Sequence, residues 1–221
     1  MAATRRRPLL PGALAWSGRT FGRDPLPVLG ATAAWGLILV AITATAIAVM
    51  EHGGMDFEND DDLDRAAVYL TFILAVPLAL CAAGGWHGLL TLADKNKAAF
   101  VDFFRFPTLA AQLVVAVVTT VASAPLTFIR SDLTALAWTL ALVFLLVWAT
   151  LLAAEGLSGS AALVGSVRLS LHHPLATLAG VSVLLVALVL GTVIVLAGLV
   201  VTTPLASLVL LYYRRHLHTA G

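Results

Sequence analysis

The sequence predicts an all-α, polytopic transmembrane helical bundle of six spans. Three observations predict it. The chain of 221 residues is 60% hydrophobic and only 11% charged, with a mean hydropathy of +0.98. Soluble domains use about 45–50% apolar and about 25% charged residues. Its apolar residues gather in runs long enough for a bilayer core of about 30 Å, which takes about 20 helical residues to cross. Its Lys and Arg residues fall almost entirely in alternate connections between those runs.

Residues 1–26 form a basic amphipathic lead-in, and a six-helix domain occupies 27–214. The expected spans are Pro27–Met50, Ala66–Leu90, Thr108–Ile129, Leu133–Ala154, Pro174–Leu196 and Gly198–Arg214. Helices are the choice because only a helix satisfies its own backbone polar groups away from water. The run from Pro174 to Tyr213 carries no charge for 40 residues, which as one helix would be about 60 Å long. It must fold back, and Ala197-Gly198 is the expected corner. The polar stretch before the first span and the length of that span exceed those of a cleaved signal peptide, so it is expected to be retained.

Orientation follows from the basic residues. With the N-terminus inside, eleven basic residues lie inside (Arg5, Arg6, Arg7, Arg19, Arg23, Lys95, Lys97, Arg105, Arg168, Arg214 and Arg215), and only Arg65 and Arg130 lie outside. Both termini are therefore expected in the cytoplasm. Trp16, Trp35, Trp86 and Tyr212-Tyr213 fall where an interfacial aromatic belt would, whereas Trp138 and Trp148 fall deeper, as packing residues do. The excess of Arg over Lys, with abundant Ala, Val and Leu, points to a GC-rich bacterial genome.

Each odd-numbered span begins near a proline preceded by a basic, partly apolar segment. The three prolines are Pro25, Pro107 and Pro174, with Arg23, Arg105 and His172 two residues before them and Arg19 and Arg168 six before the first and third. Proline suits the first turn of a helix because its missing N–H would have no partner there. Residues four apart share a helical face, so Arg19 with Arg23, and Arg168 with His172, could contact lipid headgroups together. Leu10, Leu14 and Phe21 line the other face of the first segment, and Leu157, Ala161, Val164 and Leu171 that of the third. Two readings fit: three copies of an interfacial helix followed by a hairpin, or simply the usual way helices enter a bilayer. The third lead-in lies within the cytoplasmic segment 155–173, where Glu155 and Arg168 are expected to pair.

No constellation carries chemistry. The external loop 51–65 holds seven of the twelve acidic residues. Asp60, Asp62 and Asp64 alternate as in a calcium loop, but the mid-loop glycine and distal glutamate are missing, so a solvated acidic loop is the expectation. Neighbouring histidines at 172–173 and at 216 and 218 point to different helix faces, and the lone Cys81 sits in an apolar run, so no metal site or cofactor is expected. The expected spans leave no Asp, Glu, Lys or Arg near their middles, where ion-coupled carriers usually need them. Motifs of hydrolases, zinc peptidases and nucleotide-binding loops are absent, so the protein is not expected to be an enzyme. Pro77, Pro125 and Pro204 lie inside spans and should bend them.

The stretches Ala13–Phe21, Asp102-Phe103-Phe104-Arg105, and Ala161–Arg215 with Pro174, Gly198 and Thr203-Pro204 resemble uncharacterised bacterial six-helix membrane proteins. Some of these are labelled as glycerophosphodiester phosphodiesterase membrane domains. The resemblance implies a six-helix fold in the bacterial plasma membrane with no activity attached, and the chain carries no phosphodiesterase domain. Two functions remain open. One is an accessory or scaffolding subunit that meets membrane lipids and a membrane-protein partner or a second copy of itself. The other is a permease or flippase for lipid-like or apolar cargo. Nucleic-acid binding has no support.

Overall fold

The computed structural model describes residues 10–127, 129, 131–193 and 197–218. It is all-helical, with no strand among the described residues. Among the described residues the α-helices are α1 (Leu10–Arg23), α2 (Pro25–His52), α3 (Asp60–Lys95), α4 (Leu109–Ser123), α5 (Asp132–Leu146), α6 (Ala149–Ala154), α7 (Gly159–His172), α8 (Pro174–Val193) and α9 (Ala197–His218). Short 3₁₀ turns at Phe100–Phe104 and Ala124–Thr127 flank α4.

Among the described residues four stretches are long and apolar enough to cross a membrane: Pro25–His52, Asp62–Lys95, Leu109–Leu126 and Asp132–Ala154. A fifth appears if Gly159–His172 and Pro174–Val189 count together, but they meet at 109°. That bend sits at the proline expected to mark the end of the third lead-in. His173 caps α7, its N–H donating to the Leu169 carbonyl, and Pro174 opens α8. The first lead-in is likewise a helix, α1, with Pro25 at the first turn of α2. The second is only one 3₁₀ turn, because its chain is gripped side-on by two helices.

Several boundaries differ from expectation. The third span was expected to run to Ile129; α4 instead stops at Ser123 and gives way to 3₁₀ geometry around Pro125. Proline there ends the helix, since its ring and missing N–H disfavour another α-turn. Pro77 and Pro204 sit inside α3 and α9, which continue through them. The fourth span is broken at Val147-Trp148 into α5 and α6. Ser166 and Ser170 of α7 satisfy the backbone exposed at that break. Ser166 Oγ donates to the Leu145 carbonyl at 2.6 Å and accepts the Trp148 N–H at 3.2 Å, while Ser170 Oγ donates to the Phe144 carbonyl at 2.8 Å. Broken backbone at membrane depth is tolerated only where protein supplies such partners. Ala197-Gly198, the expected corner between the last two helices, lies within α9. Residues 194–196 lie outside the described residues.

Packing follows a cyclic order. The helices form three hairpins: α2 with α3, α4 with α5 and α6, and α8 with α9. The first helix of each hairpin lies against the outgoing helix of the hairpin before it: α4 on α3, α8 on α5, and α2 on α9. Each lead-in does the same: the 3₁₀ turn lies on α3, α7 on α5 and α6, and α1 on α9. Counted from the first residue of α2, α4 and α8, the fourth residue is buried each time as Val28, Gln112 and Thr177, and the seventh as Ala31, Val115 and Gly180. Positions three apart share a face, so all three helices turn the same register inward.

The core is filled. Trp148, Leu151, Leu208 and Leu211 are fully enclosed at its centre, and the Trp148 indole N–H donates to Thr177 Oγ1 at 3.0 Å. Leu37, Val40, Leu133, Leu136, Val186 and Val189 face outward, as expected where lipid rather than water surrounds the helices.

Candidate functional site

The lead-ins turn small residues toward protein. In α1 the buried residues are Ala13, Ser17 and Thr20; in α7 they are Gly159, Ala162, Ser166 and Ser170. Leu10 and Leu14, and Leu157, Ala161, Val164 and Leu171, are exposed. Close backbone approach explains this choice. A Cβ on Gly159 would stand 2.4 Å from Val114 Cβ. Only the small face can dock on neighbouring helices, so the apolar face is left for lipid.

The expected headgroup residues occupy one end of the bundle. Arg19 is exposed, its Nε donating to the Ala15 carbonyl. Arg23 donates to Asn96 Oδ1, tying the start of α2 to the end of α3. Arg105 is exposed and pairs with Asp102 at 3.4 Å. Arg168 is exposed, and the last residue of α7, His172, hydrogen-bonds through Nδ1 to its carbonyl at 2.8 Å. Asn96 ends α3 in the left-handed region at φ 59°, a conformation asparagine tolerates better than most residues.

The expected pair of Glu155 with Arg168 does not form. Glu155 instead meets Arg214 of α9, Oε2 to Nη2 at 3.1 Å. The reason is positional: Arg168 projects from the exposed side of α7, whereas the last turn of α9 brings Arg214, almost fully buried, beside the end of α6. Burial pushes the Glu155 carboxyl above its usual range, and attraction to Arg214 only partly offsets this. Arg215 adjoins Asp94 at the end of α3. Trp16 packs on Tyr212 with ring centroids 5.8 Å apart, docking α1 on α9. The basic end is therefore a clasp joining α1, α3, α6 and α9.

Trp35 and Trp86 were expected in an interfacial belt but are buried. The Trp35 indole N–H donates to the Phe103 carbonyl at 3.2 Å, and its ring stacks on Phe104. That of Trp86 donates to Thr150 Oγ1 at 3.1 Å. Trp138, expected as a packing residue, is 41% exposed and donates to the Ala122 carbonyl. Gln112 is fully buried and donates through Nε2 to the Thr150 carbonyl at 2.7 Å. Gly84 and Gly88 form the notch that receives Phe103; a Cβ at either would come within 2.4 Å of it. The Gly84-xxx-Gly88 spacing in the sequence signals that notch, but the sequence does not name what fills it.

The notch and Trp35 border the main opening in the molecule. It is a groove of about 570 Å³ between α2, α3 and α9. Its walls run from Val28, Leu89 and Ser207 near the basic end to Val40, Cys81 and Val200 further along. Val28 to Val40 spans twelve residues, about 18 Å of helix. Ala33, Gly36, Ala82 and Gly85 leave the room, and the exposed Gly36, Leu37, Val40 and Thr203 mark the side opening. No charged residue lines it. Thr32 is occupied with its own helix, donating to the Val28 carbonyl. Of the three intrahelical prolines only Pro204 reaches this groove, so the three are not brought to one cavity. Among the described residues no three His, Cys, Asp or Glu side chains gather as a metal-binding group.

No protein-family model, curated protein or solved structure significantly matches the chain. What the fold and the groove define is a class: an all-helical protein with several membrane-length helices, a filled core and a lateral apolar groove.

Proposed function

We propose that this chain is a non-catalytic, six-span protein of the bacterial plasma membrane, an accessory or scaffolding subunit that works through partner helices and anionic lipids. The observation that carries the reading is the contrast between a filled core and a groove open to the side. A carrier moves cargo through its interior, and here Trp148, Leu151, Leu208 and Leu211 fill that interior with apolar side chains. The permease or flippase reading would need polar groups converging on a through-path. The groove is uncharged and mostly apolar, with hydroxyls at Thr32, Thr203 and Ser207, and so that reading ranks second.

In this reading α8 and α9 are the fifth and sixth spans, and the basic end faces the cytoplasm with both termini, by the excess of Lys and Arg there. The six-helix kinship implied by the resemblance belongs to the same proposal. Threefold repetition is supported by the cyclic packing order and by the shared burial of the fourth and seventh helix residues. Ser17 and Ser166 add to it, each eight residues before its proline and each buried. Parallel repeats of this kind are related by an axis along the membrane normal.

The test is extraction into polymer nanodiscs with native lipid, followed by mass spectrometry of co-purifying proteins and lipids. A stoichiometric membrane-protein partner is expected. Recovery of the chain alone, with vesicle-based lipid scrambling activity, would overturn the reading in favour of the flippase.

A further inference from the structure

We infer that the groove between α2, α3 and α9 holds one acyl chain of an anionic glycerophospholipid from the leaflet at the basic end, with its phosphate on Arg23, Lys95 and Lys97. The inference rests on the membrane reading above and names the lipid that reading invokes.

The groove offers about 570 Å³, within the ~300–1,000 Å³ range of small-molecule pockets. The floor of Ala33, Gly36, Ala82 and Gly85 forms a slot, and the bulkier Trp35, Trp86 and Phe103 close its base.

Charge decides which lipid. The groove begins at Val28 and Leu89, five residues beyond Arg23 and six before Lys95 in sequence, about one and a half helical turns from each. Arg23 bonds the neutral Asn96, so its charge is not cancelled. Lys95 and Lys97 are exposed, and among the described residues neither forms an ion pair. Of the nearby carboxylates, Asp94 is engaged by Arg215. That leaves Asp24 against three cations, a net of two positive charges at the end of an uncharged slot. A zwitterionic headgroup gains little from such a rim. An anionic one gains about 1 kcal/mol per basic residue near the surface.

The experiment uses the full chain in phosphatidylcholine vesicles containing either phosphatidylglycerol or phosphatidylcholine with a diazirine midway along one acyl chain. Photolabelled positions are mapped by mass spectrometry. The phosphatidylglycerol probe is expected to label residues 33–40, 81–89 and 200–207 about tenfold over the outward face of α5, Leu133–Leu140. Gly85→Leu and Gly36→Leu, made separately, each fill the slot; a Cβ at either glycine meets open space, so the fold tolerates them. Each should cut groove labelling about tenfold and leave α5 labelling unchanged. Lys95→Gln with Lys97→Gln should reduce the preference for the anionic probe about thirtyfold. Even labelling of groove and α5, or groove labelling untouched by both glycine variants, would overturn the inference, as would crosslinks from the slot to another protein. Even labelling leaves the accessory-subunit reading standing, because that depends on the co-purified proteins.

Discussion

Glu155 and Arg214 meet at 3.1 Å between the end of α6 and the last turn of α9. Arg214 is 7% exposed, and its Nε has no hydrogen-bond partner among the described residues. Arg214→Met keeps the bulk of the stem and removes the charge. It strands the partly buried Glu155 carboxylate, at a cost of about 1–3 kcal/mol. A lower Tm in detergent is expected, and a Tm equal to that of wild type would show the pair to be energetically idle.

The same pair sets a pH dependence. Burial raises the Glu155 pKa above its ordinary 4.5 despite Arg214. The native state therefore holds that proton more tightly than the unfolded chain. Stability from this group is full below the ordinary carboxylate range and declines as pH rises through the folded pKa. Glu155→Gln removes the titration. The Tm difference, wild type minus variant, should shrink as pH rises above the ordinary carboxylate value of 4.5. In Arg214→Met, which loses the compensating cation, the decline should move to higher pH. A difference flat across that rise in pH would refute the shift.

Ser166 predicts a graded pair of variants. Its hydroxyl serves both the Leu145 carbonyl and the Trp148 N–H, while Ser170 serves only the Phe144 carbonyl. Ser166→Ala leaves two buried backbone groups at the helix break unpaired, at about 1–3 kcal/mol each. Ser170→Ala leaves one. Ser166→Ala should lower Tm by clearly more than Ser170→Ala, and it should speed proteolysis between α5 and α6. The reverse order would mean that the break is held by Trp148 packing alone.

Patterns confined to one segment were readable from sequence. Long uncharged runs announced the membrane-length helices, and Pro25 and Pro174 announced where α2 and α8 begin. What the sequence withheld depended on partners far along the chain. Nothing near Glu155 points to Arg214, and Arg168 looked nearer only because it is closer in number. The break at Trp148 was hidden because Val143–Ala149 is uniformly apolar and reads as an unbroken helix; Ser166 and Ser170, which hold the break, are two turns of another helix. The amphipathic character of the lead-ins was legible from Leu10, Leu14, Leu157 and Leu171; the small-residue face that docks on protein was not, because in lipid small residues dock and large ones face out. The groove had no signature, since it is made by what Gly36, Ala82 and Gly85 lack.

Gly84, Gly85 and Gly88 separate docking from groove. Phe103 of the 3₁₀ turn fills the notch so closely that a Cβ on Gly84 would lie 2.1 Å from its carbonyl oxygen, and one on Gly88 2.3 Å from its ring. The carbonyl cannot retreat freely, because it also accepts the Trp35 indole N–H. Gly84→Ala must therefore push the turn off α3 and break that bond, costing at least the ~1–3 kcal/mol of ordinary overpacking. A Cβ on Gly85 meets nothing within 4 Å. Gly85→Ala should be neutral or slightly stabilising, since alanine is favoured over glycine in a helix by about 1 kcal/mol. Trp35 fluorescence reports the difference: Gly84→Ala should shift its emission and lower Tm, and Gly85→Ala should leave emission unchanged. Equal behaviour of the two variants would mean that Phe103 does not lock into α3, and the base of the groove would then have to be formed by Trp35 and Trp86 alone.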